Sequence, residues 1–379
     1  MSTNNVATSR EKSRCFSYLT FVCLVFFLAI HAIGFAGATD DPLILSQPLT
    51  LAWRYQTDYT TDFTPASDAN SVFVPLAGGT IVALNAGDGK LRWKAEVGGD
   101  FSAAPFADDR SVYVATSYAG PDEKHLRGTL RAISNETGVT LWMRTLPAPL
   151  SGGLIADTVA LFAGSVDGHL YAIDKRTGLV LWSNQYAEEF SAHPTLAGEF
   201  VYFGSNAGTV RALNTKHGQV SWEYKTRGAI RGSIAVSGNI AYFGSDDGYV
   251  YAFSEIRSKV LWHRRTGAAV QAVAAVENGV LAASLDNFAY LLSLNKGALI
   301  WRRQLPGRIS SRPITASDGA LFTPFSTDSA IVLNLRDGKP SNTLSLGEEN
   351  SSAAAPISVR NLVLITTPHA LLAFTAPRQ

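Results

Sequence analysis

Cysteine is almost missing from this 379-residue chain: the only two, Cys15 and Cys23, fall within the first 38 residues. The rest therefore has no disulfide, no thiolate nucleophile and no cysteine metal site. Methionine is equally scarce at 2, and charged residues make up 17%, below the usual quarter. Neither charge sign is in excess, with 32 basic against 31 acidic residues. That balance excludes the strongly basic footprint of a general nucleic-acid binder. There is no Gly-x-Ser-x-Gly elbow, no phosphate-binding glycine loop and no His-x-x-x-His pair. His125, His169, His193, His217, His263 and His369 are scattered singly, so no zinc site is legible. What is present is a 46% hydrophobic chain with 32 glycines, too apolar for disorder and suited to short strands and tight turns.

The first 38 residues stand apart. Arg10, Lys12 and Arg14 precede an apolar run from Phe16 to Phe35, which exits through Ala36-Gly37-Ala38. Basic start, apolar middle and small-x-small exit are the parts of a secretory signal, so cleavage is expected after Ala38. Uncleaved, the run of about 20 residues would anchor the chain in the inner membrane. Either way residues 39–379 are expected in the periplasm as a single domain, touching membrane only through that segment. Lipid attachment is not expected, because Cys23 sits mid-run behind Phe21-Val22. The segment carries three basic residues and one acidic, leaving 29 and 30 after it, a net charge of −1.

The seven tryptophans, Trp53, Trp93, Trp142, Trp182, Trp222, Trp262 and Trp301, recur at intervals of 40, 49, 40, 40, 40 and 39 residues. A period near 40 with several strands per repeat predicts a propeller. The text repeats too: Ala172-Ile173-Asp174-Lys175-Arg176-Thr177-Gly178 precedes Trp182, and Ala212-Leu213-Asn214-Thr215-Lys216-His217-Gly218 precedes Trp222. Each is a strand, a turn closed by glycine, and a strand bearing the tryptophan. Upstream, Val201–Val210 matches Ala241–Val250 as an earlier hairpin. Triplets of strands fall near 64–84, 104–134, 152–174, 193–214, 231–254, 271–294, 311–334 and 353–374. Seven are followed by a fourth strand; the seventh of these, Asn342–Leu346, has lost its tryptophan. The eighth triplet has no fourth strand, while Leu49–Tyr55 has no triplet. The expected fold is all-β: an eight-bladed β-propeller of four-stranded blades, its ring closed by the strand around Trp53, which removes the open sheet edge.

The Ala-x-Asp-x-x-Thr-Gly-x-x-x-Trp text at Ala172–Trp182 resembles the PQQ-type repeat of eight-bladed propellers, over residues 45 to 378. That superfamily includes quinoprotein dehydrogenases and the BamB family of outer-membrane assembly factors, which are non-enzymatic scaffolds. Compact size and uniform repeats resemble the second branch, although its usual lipid-attachment sequence is missing here. In both branches the resemblance implies that the repeat tryptophans dock between blades. Quinoproteins usually carry adjacent cysteines and a Glu, Asn and Asp set around Ca²⁺, and no such set stands out here. Among strand-end acids, Asp246 and Asp247 are explained by their Asp-Gly turn, and Asp286 remains a candidate. No cofactor or metal is expected, with PQQ and Ca²⁺ as the alternative. The leading expectation is thus a monomeric scaffold for an envelope protein, with a component of outer-membrane assembly as the partner the resemblance implies; a quinone-dependent oxidoreductase and a ligand-sensing module on a membrane anchor are the alternatives.

Two irregularities mark candidate contact surfaces. Unit two carries nine extra residues within Ser117–Arg127, giving a candidate loop of Tyr118, Pro121, Asp122, Glu123, Lys124 and His125. Charge is also unevenly spread. Trp222–Arg312 holds 12 basic and 6 acidic residues, whereas Asp40–Arg127 holds 7 and 12. Arg227, Arg231, Arg264, Arg265, Arg302, Arg303, Arg308 and Arg312 are read as lying in connections between units, on one face. Their guanidinium forks suit carboxylates of an acidic partner. The acceptor patterns Asn135-Glu136-Thr137 and Asn350-Ser351-Ser352 are assigned to turns. N-terminal sequencing of the exported protein is expected to begin at Thr39; a start at Met1 would establish the anchored form.

Overall fold

The computed structural model describes residues 43–119, 125–347, 352 and 354–377, so the signal or anchor expected at 1–38 lies outside the described residues. Among the described residues there is no helix long and apolar enough to cross a membrane, and every regular element is a strand. Strand β1 spans Thr50–Gln56. Unit 1 comprises β2 to β5 (Ala66–Ser67, Ser71–Leu76, Thr80–Asn85, Leu91–Glu96). Unit 2 comprises β6 to β9 (Asp100–Ala107, Ser111–Ala119, Leu126–Ser134, Thr140–Leu146) and unit 3 β10 to β13 (Leu150–Ala156, Ala160–Ser165, His169–Asp174, Val180–Gln185). Unit 4 comprises β14 to β17 (Thr195–Ala197, Phe200–Gly204, Thr209–Asn214, Val220–Lys225) and unit 5 β18 to β21 (Ala235–Ser237, Ile240–Gly244, Tyr249–Ser254, Lys259–Arg265). Unit 6 comprises β22 to β25 (Val270–Val276, Gly279–Ser284, Phe288–Leu292, Leu299–Gln304) and unit 7 β26 to β29 (Ile314–Thr315, Gly319–Phe322, Ser329–Asn334, Pro340–Ser345). Last come β30 to β32 (Ile357–Val359, Leu362–Thr367, Ala370–Thr375).

Each unit is an antiparallel meander in chain order, and β30 to β32 take β1 as their fourth strand, with Trp53 paired to Ala373. Units 2 and 3 merge into one eight-stranded sheet through a parallel contact, Gly153 beside Ala104. Second strands such as β3 and β11 are buried at all six positions, because both faces are covered. The core therefore sits between units. One cluster joins Phe162 and Ala172 of unit 3 to Phe203 and Leu213 of unit 4. Each such phenylalanine or leucine contributes about 1.5–3 kcal/mol of burial.

The turn before each tryptophan follows from its residues. Asp174 accepts the Thr177 hydroxyl (2.7 Å) and amide (2.8 Å), and Gly178 closes the turn at φ +70°. The ladder then slips by one residue at the tryptophan, between Ala172 and Ile173 in unit 3 and at the equivalent place in every other unit, including Leu51/Trp53 of β1. Such a bulge re-aims the side chain that follows it, and here the indole is carried onto the next unit. The N–H of Trp142 donates to Lys175 O (2.8 Å), that of Trp182 to Thr215 O (2.8 Å) and that of Trp301 to Leu335 O (3.0 Å). The ring lies on the turn glycine: a β-carbon at Gly178 would sit 2.6 Å from Trp142.

Two junctions depart from this pattern. After Trp222 the glycine position holds Ser258, forced to φ +47°, and Trp222 instead stacks on Phe253 with centroids 4.4 Å apart. After unit 7 the tryptophan position holds Asn342, whose amide donates to Gln47 O (2.7 Å) and Leu45 O (3.3 Å). Asp318 accepts the amides of Leu45 and Ser46, and Leu45 is fully buried. The chain's opening segment thus stands where the other units have a turn.

The expected loop of unit 2 is partly strand. β7 and β8 pair out to Ala119 with Leu126, so Tyr118 lies opposite Arg127 in the ladder, because the extra residues continue the backbone bonding. Pro121, Asp122, Glu123 and Lys124 lie outside the described residues, and His125 sits just before β8.

One position predicts substitutions of opposite sign. Gly178→Ala places a methyl against Trp142 in a left-handed conformation and is expected to destabilise by about 1–3 kcal/mol. Ser258→Gly relieves such a conformation and is expected to stabilise, by less than about 1 kcal/mol. Denaturant titration of both variants checks this, and shifts of the same sign would refute it.

Candidate functional site

Four of the eight arginines read as connections lie in outer strands. Arg264 and Arg265 belong to β21, and Arg302 and Arg303 to β25. This corrects the sequence expectation: the ladder continues past the tryptophan to Arg265 opposite Tyr249 and Gln304 opposite Phe288. Arg303 serves the fold, its Nε donating to Gly338 O of unit 7 (2.8 Å), as Arg144 does to Gly178 O (2.7 Å). Arg264 and Arg265 are exposed, and exposed Arg302 sets its guanidinium 5.3 Å from the Phe288 ring centre. Of the connection residues, Arg308 and Arg227 are exposed, and Arg231 pairs with Asp246 at 2.8 Å.

Arg312 takes a different position. It precedes β26, in the stretch where first strands of neighbouring units converge, as Gly153 meets Ala104 and the Ala355 amide meets Thr64 Oγ1 (3.2 Å). Its surroundings lower its pKa through desolvation. His193, at the same place in unit 4, is held below the ordinary histidine range first by burial and further by the Arg312 charge. Arg312 is nonetheless exposed and His193 half-buried, so the two are linked here by charge alone.

The carboxylates near strand ends are spent on structure. Asp246 accepts from Arg231 and from Gln271 (2.8 Å). Asp247 accepts from the Arg227 amide (3.2 Å) and the Tyr251 hydroxyl (2.8 Å). Asp286 accepts from the Gly267 amide (2.7 Å) and the Tyr290 hydroxyl (2.6 Å); burial and that partner push the Tyr290 pKa up to about 12. Among the described residues no three His, Cys, Asp or Glu side chains stand where they could hold a metal ion. His217 is an exposed turn residue. Asn135 is buried, its amide donating to Asp68 (2.9 Å) and Asp108 O (2.7 Å), which removes it as a glycan acceptor. Asn350 and Ser351 of the other acceptor pattern lie outside the described residues.

Sequence reading missed a charge cluster in which Arg211 and Glu188 are buried and Glu223 is exposed. Arg211, on β16, is paired through Nη1 with Glu188 and through Nε with Glu223 (3.1 Å), and its guanidinium lies 4.1 Å from the Tyr186 ring centre. Glu188 also accepts the hydroxyls of Ser205 (2.7 Å) and Thr209 (3.0 Å). Burial alone would raise the Glu188 pKa, but the Ser205 and Arg211 bonds outweigh it and hold it below the ordinary value. The cluster borders a groove of about 530 Å³ lined by Tyr186, Glu188, Arg211, Glu223 and Lys225. The available signal was the text Gly-Thr-x-Arg, present as Gly208–Arg211 and as Gly128–Arg131.

A family model described as outer membrane protein assembly factor BamB matches residues 50–127, 126–278 and 246–376. The chain is similar to the outer membrane protein assembly factor BamB of Shewanella oneidensis, 30% identical over 104 residues, 26% of this chain and 24% of that protein. It is also similar to the tetrathionate hydrolase of Acidithiobacillus ferrooxidans, 29% identical over 105 residues, 27% of this chain and 19% of that protein. The match thus spans about a quarter and a fifth of these relatives' lengths. The crystal structure of BamB from Moraxella catarrhalis superposes with a TM-score of 0.73 at 16% identity, covering 87% of this chain and 98% of that one, which establishes a shared β-propeller fold.

A carboxylate whose folded pKa is depressed stabilises the fold above its ordinary pKa and loses that contribution as pH falls through the folded value. Glu188→Gln is therefore expected to lower stability at neutral pH, toward the low end of about 3–5 kcal/mol because Glu223 still holds Arg211. The gap to wild type should narrow as the pH falls below the ordinary glutamate range. Denaturation at neutral and acidic pH tests this, and a pH-independent gap would refute the pairing.

Proposed function

We propose, for a chain that belongs to the family of outer membrane protein assembly factor BamB, the role of a non-catalytic periplasmic scaffold that docks a protein of the envelope. In this reading the units are eight blades of a closed ring, the pairing of β1 with β32 supplies the closure, and the protein acts as a monomer toward its partner. The observation that carries the proposal is how polar groups are allotted. Asp246, Asp247 and Asp286 are engaged in turns and contacts between units. Arg264, Arg265, Arg302 and Arg308 are exposed and make no ion pair among the described residues. An exposed cationic surface with an engaged acid set suits recognition of an acidic protein face better than catalysis. Rim charges of this kind act mainly on association rate and salt dependence.

The competing reading is a quinone-dependent oxidoreductase holding PQQ and Ca²⁺. It draws on the PQQ-type repeats alone. Incubating the mature chain with PQQ and Ca²⁺ separates the two. The scaffold reading expects neither stoichiometric uptake nor dye reduction, and both together would overturn it. For the docking surface, Arg302→Glu with Arg308→Glu is expected to weaken capture of the envelope partner at low salt by about tenfold or more and to flatten its salt dependence. Unchanged capture and salt dependence would remove this surface from the proposal.

A further inference from the structure

Units 2 and 4 carry the same cluster of donors, but only unit 4 supplies acceptors. The register makes the correspondence residue by residue. Arg211 lies opposite Phe203 on one side and Glu223 on the other, and Arg131 lies opposite Val114 and Met143 in the same way. Thr129 then corresponds to Thr209 and Thr116 to Ser205. Counting four, six and nine residues on from Trp182 and Trp93 aligns Tyr186 with Val97, Glu188 with Gly99, and Ser191 with Ser102.

Both carboxylates that hold Arg211 are therefore missing around Arg131: Gly99 replaces Glu188 and Met143 replaces Glu223. The consequences are visible in the remaining groups. Thr116 and Thr129, whose counterparts donate to Glu188, hydrogen-bond each other at 2.6 Å. Nη1 of Arg131 is buried and makes no hydrogen bond, and so is Ser102 Oγ. In unit 4 the equivalent Ser191 hydroxyl donates to Asn206. Desolvation lowers the Arg131 pKa, with no neighbouring carboxylate to oppose it. A guanidinium nitrogen left dry and unpaired is among the most costly arrangements a fold retains.

We propose that Arg131, with Thr116 and Thr129, forms a socket for a carboxylate that the chain itself does not supply. Glu188 in unit 4 is the internal template for the missing group: one carboxylate oxygen faces the guanidinium and the other faces two hydroxyls. These groups lie on the lengthened hairpin of unit 2, and Asp100, next to Gly99, pairs with Ser117 of β7. Gly99 cannot be replaced in cis without strain, for it sits at φ +69° and a β-carbon there would run into the Ser117 carbonyl. The carboxylate thus comes from another molecule, either an acidic side chain of a bound polypeptide or a free small acid. The inference does not depend on the arginine surface of the proposed docking site.

The test uses acetate and a short glutamate-containing peptide as separate probes on the mature chain. In about 0.1 M acetate, against chloride of equal ionic strength so that screening is matched, the melting temperature is expected to rise in wild type and to stay unmoved in Arg131→Met. Titration followed through the guanidinium N–H resonances of wild-type protein should show one arginine shifting to saturation, which keeps the proposal testable if the variant folds poorly. Glu188→Ala, which opens the template site of unit 4, is expected to add a second acetate-dependent stabilisation. Tighter binding of the peptide than of acetate assigns the source to a partner polypeptide, and the reverse assigns it to a small acid; both support the socket. Equal acetate shifts in wild type and Arg131→Met, or no saturating arginine resonance, would overturn it whatever the outcome of the docking experiment.

Discussion

The indole laid on the neighbouring unit's left-handed glycine is the contact on which the rest of this structure depends. Each unit is a meander with two apolar faces and cannot bury both alone. The bulge before the tryptophan aims the ring, the glycine leaves room for it, and the indole N–H meets a carbonyl that the turn would otherwise leave to water. Spacing of units, burial of second and third strands, and placement of connections all follow from repeating that dock. Where a partner changes, the substitute is of the same physical kind. An aromatic stack replaces the bed at Phe253, and the Asn342 amide replaces the indole at the terminal junction.

Much of the fold was legible because it is periodic. The tryptophan interval and glycine-closed turns predict an all-β fold of repeated strands, and every regular element among the described residues is a strand. The connection arginines were less legible. A run such as Arg302-Arg303 reads as one charge patch, yet strand alternation sends Arg303 to the Gly338 carbonyl and Arg302 over Phe288. Charge counting sees formal charges and not the partners that absorb them. Arg211 was overlooked for the same reason, because Glu188 and Glu223 come to it from 23 and 12 residues away through turn and ladder geometry.

Repetition also supplies an internal standard that a non-repeating fold lacks. Two units with the same donors but different acceptors amount to a substitution experiment within one molecule. Unit 4 shows what a satisfied guanidinium looks like in this setting, and unit 2 shows the same group with its carboxylates exchanged for glycine and methionine. That contrast carries more than any single hydrogen-bond inventory, since the backbone register holds the comparison fixed.

The pairing of Thr50 with Thr375 has a consequence for how the molecule comes into being. Hairpins within a unit form over a few residues, but this ladder closes a loop of most of the chain, the least favourable contact in entropy and the slowest to form. As the polypeptide emerges amino end first, Leu45, Leu49 and Trp53 are produced early and find their neighbours only when the final strands arrive. Until then that apolar segment and the exposed edge of its future partner are open to wrong associations. A chaperone that shields that apolar segment during synthesis would act at the interval when this architecture is most vulnerable.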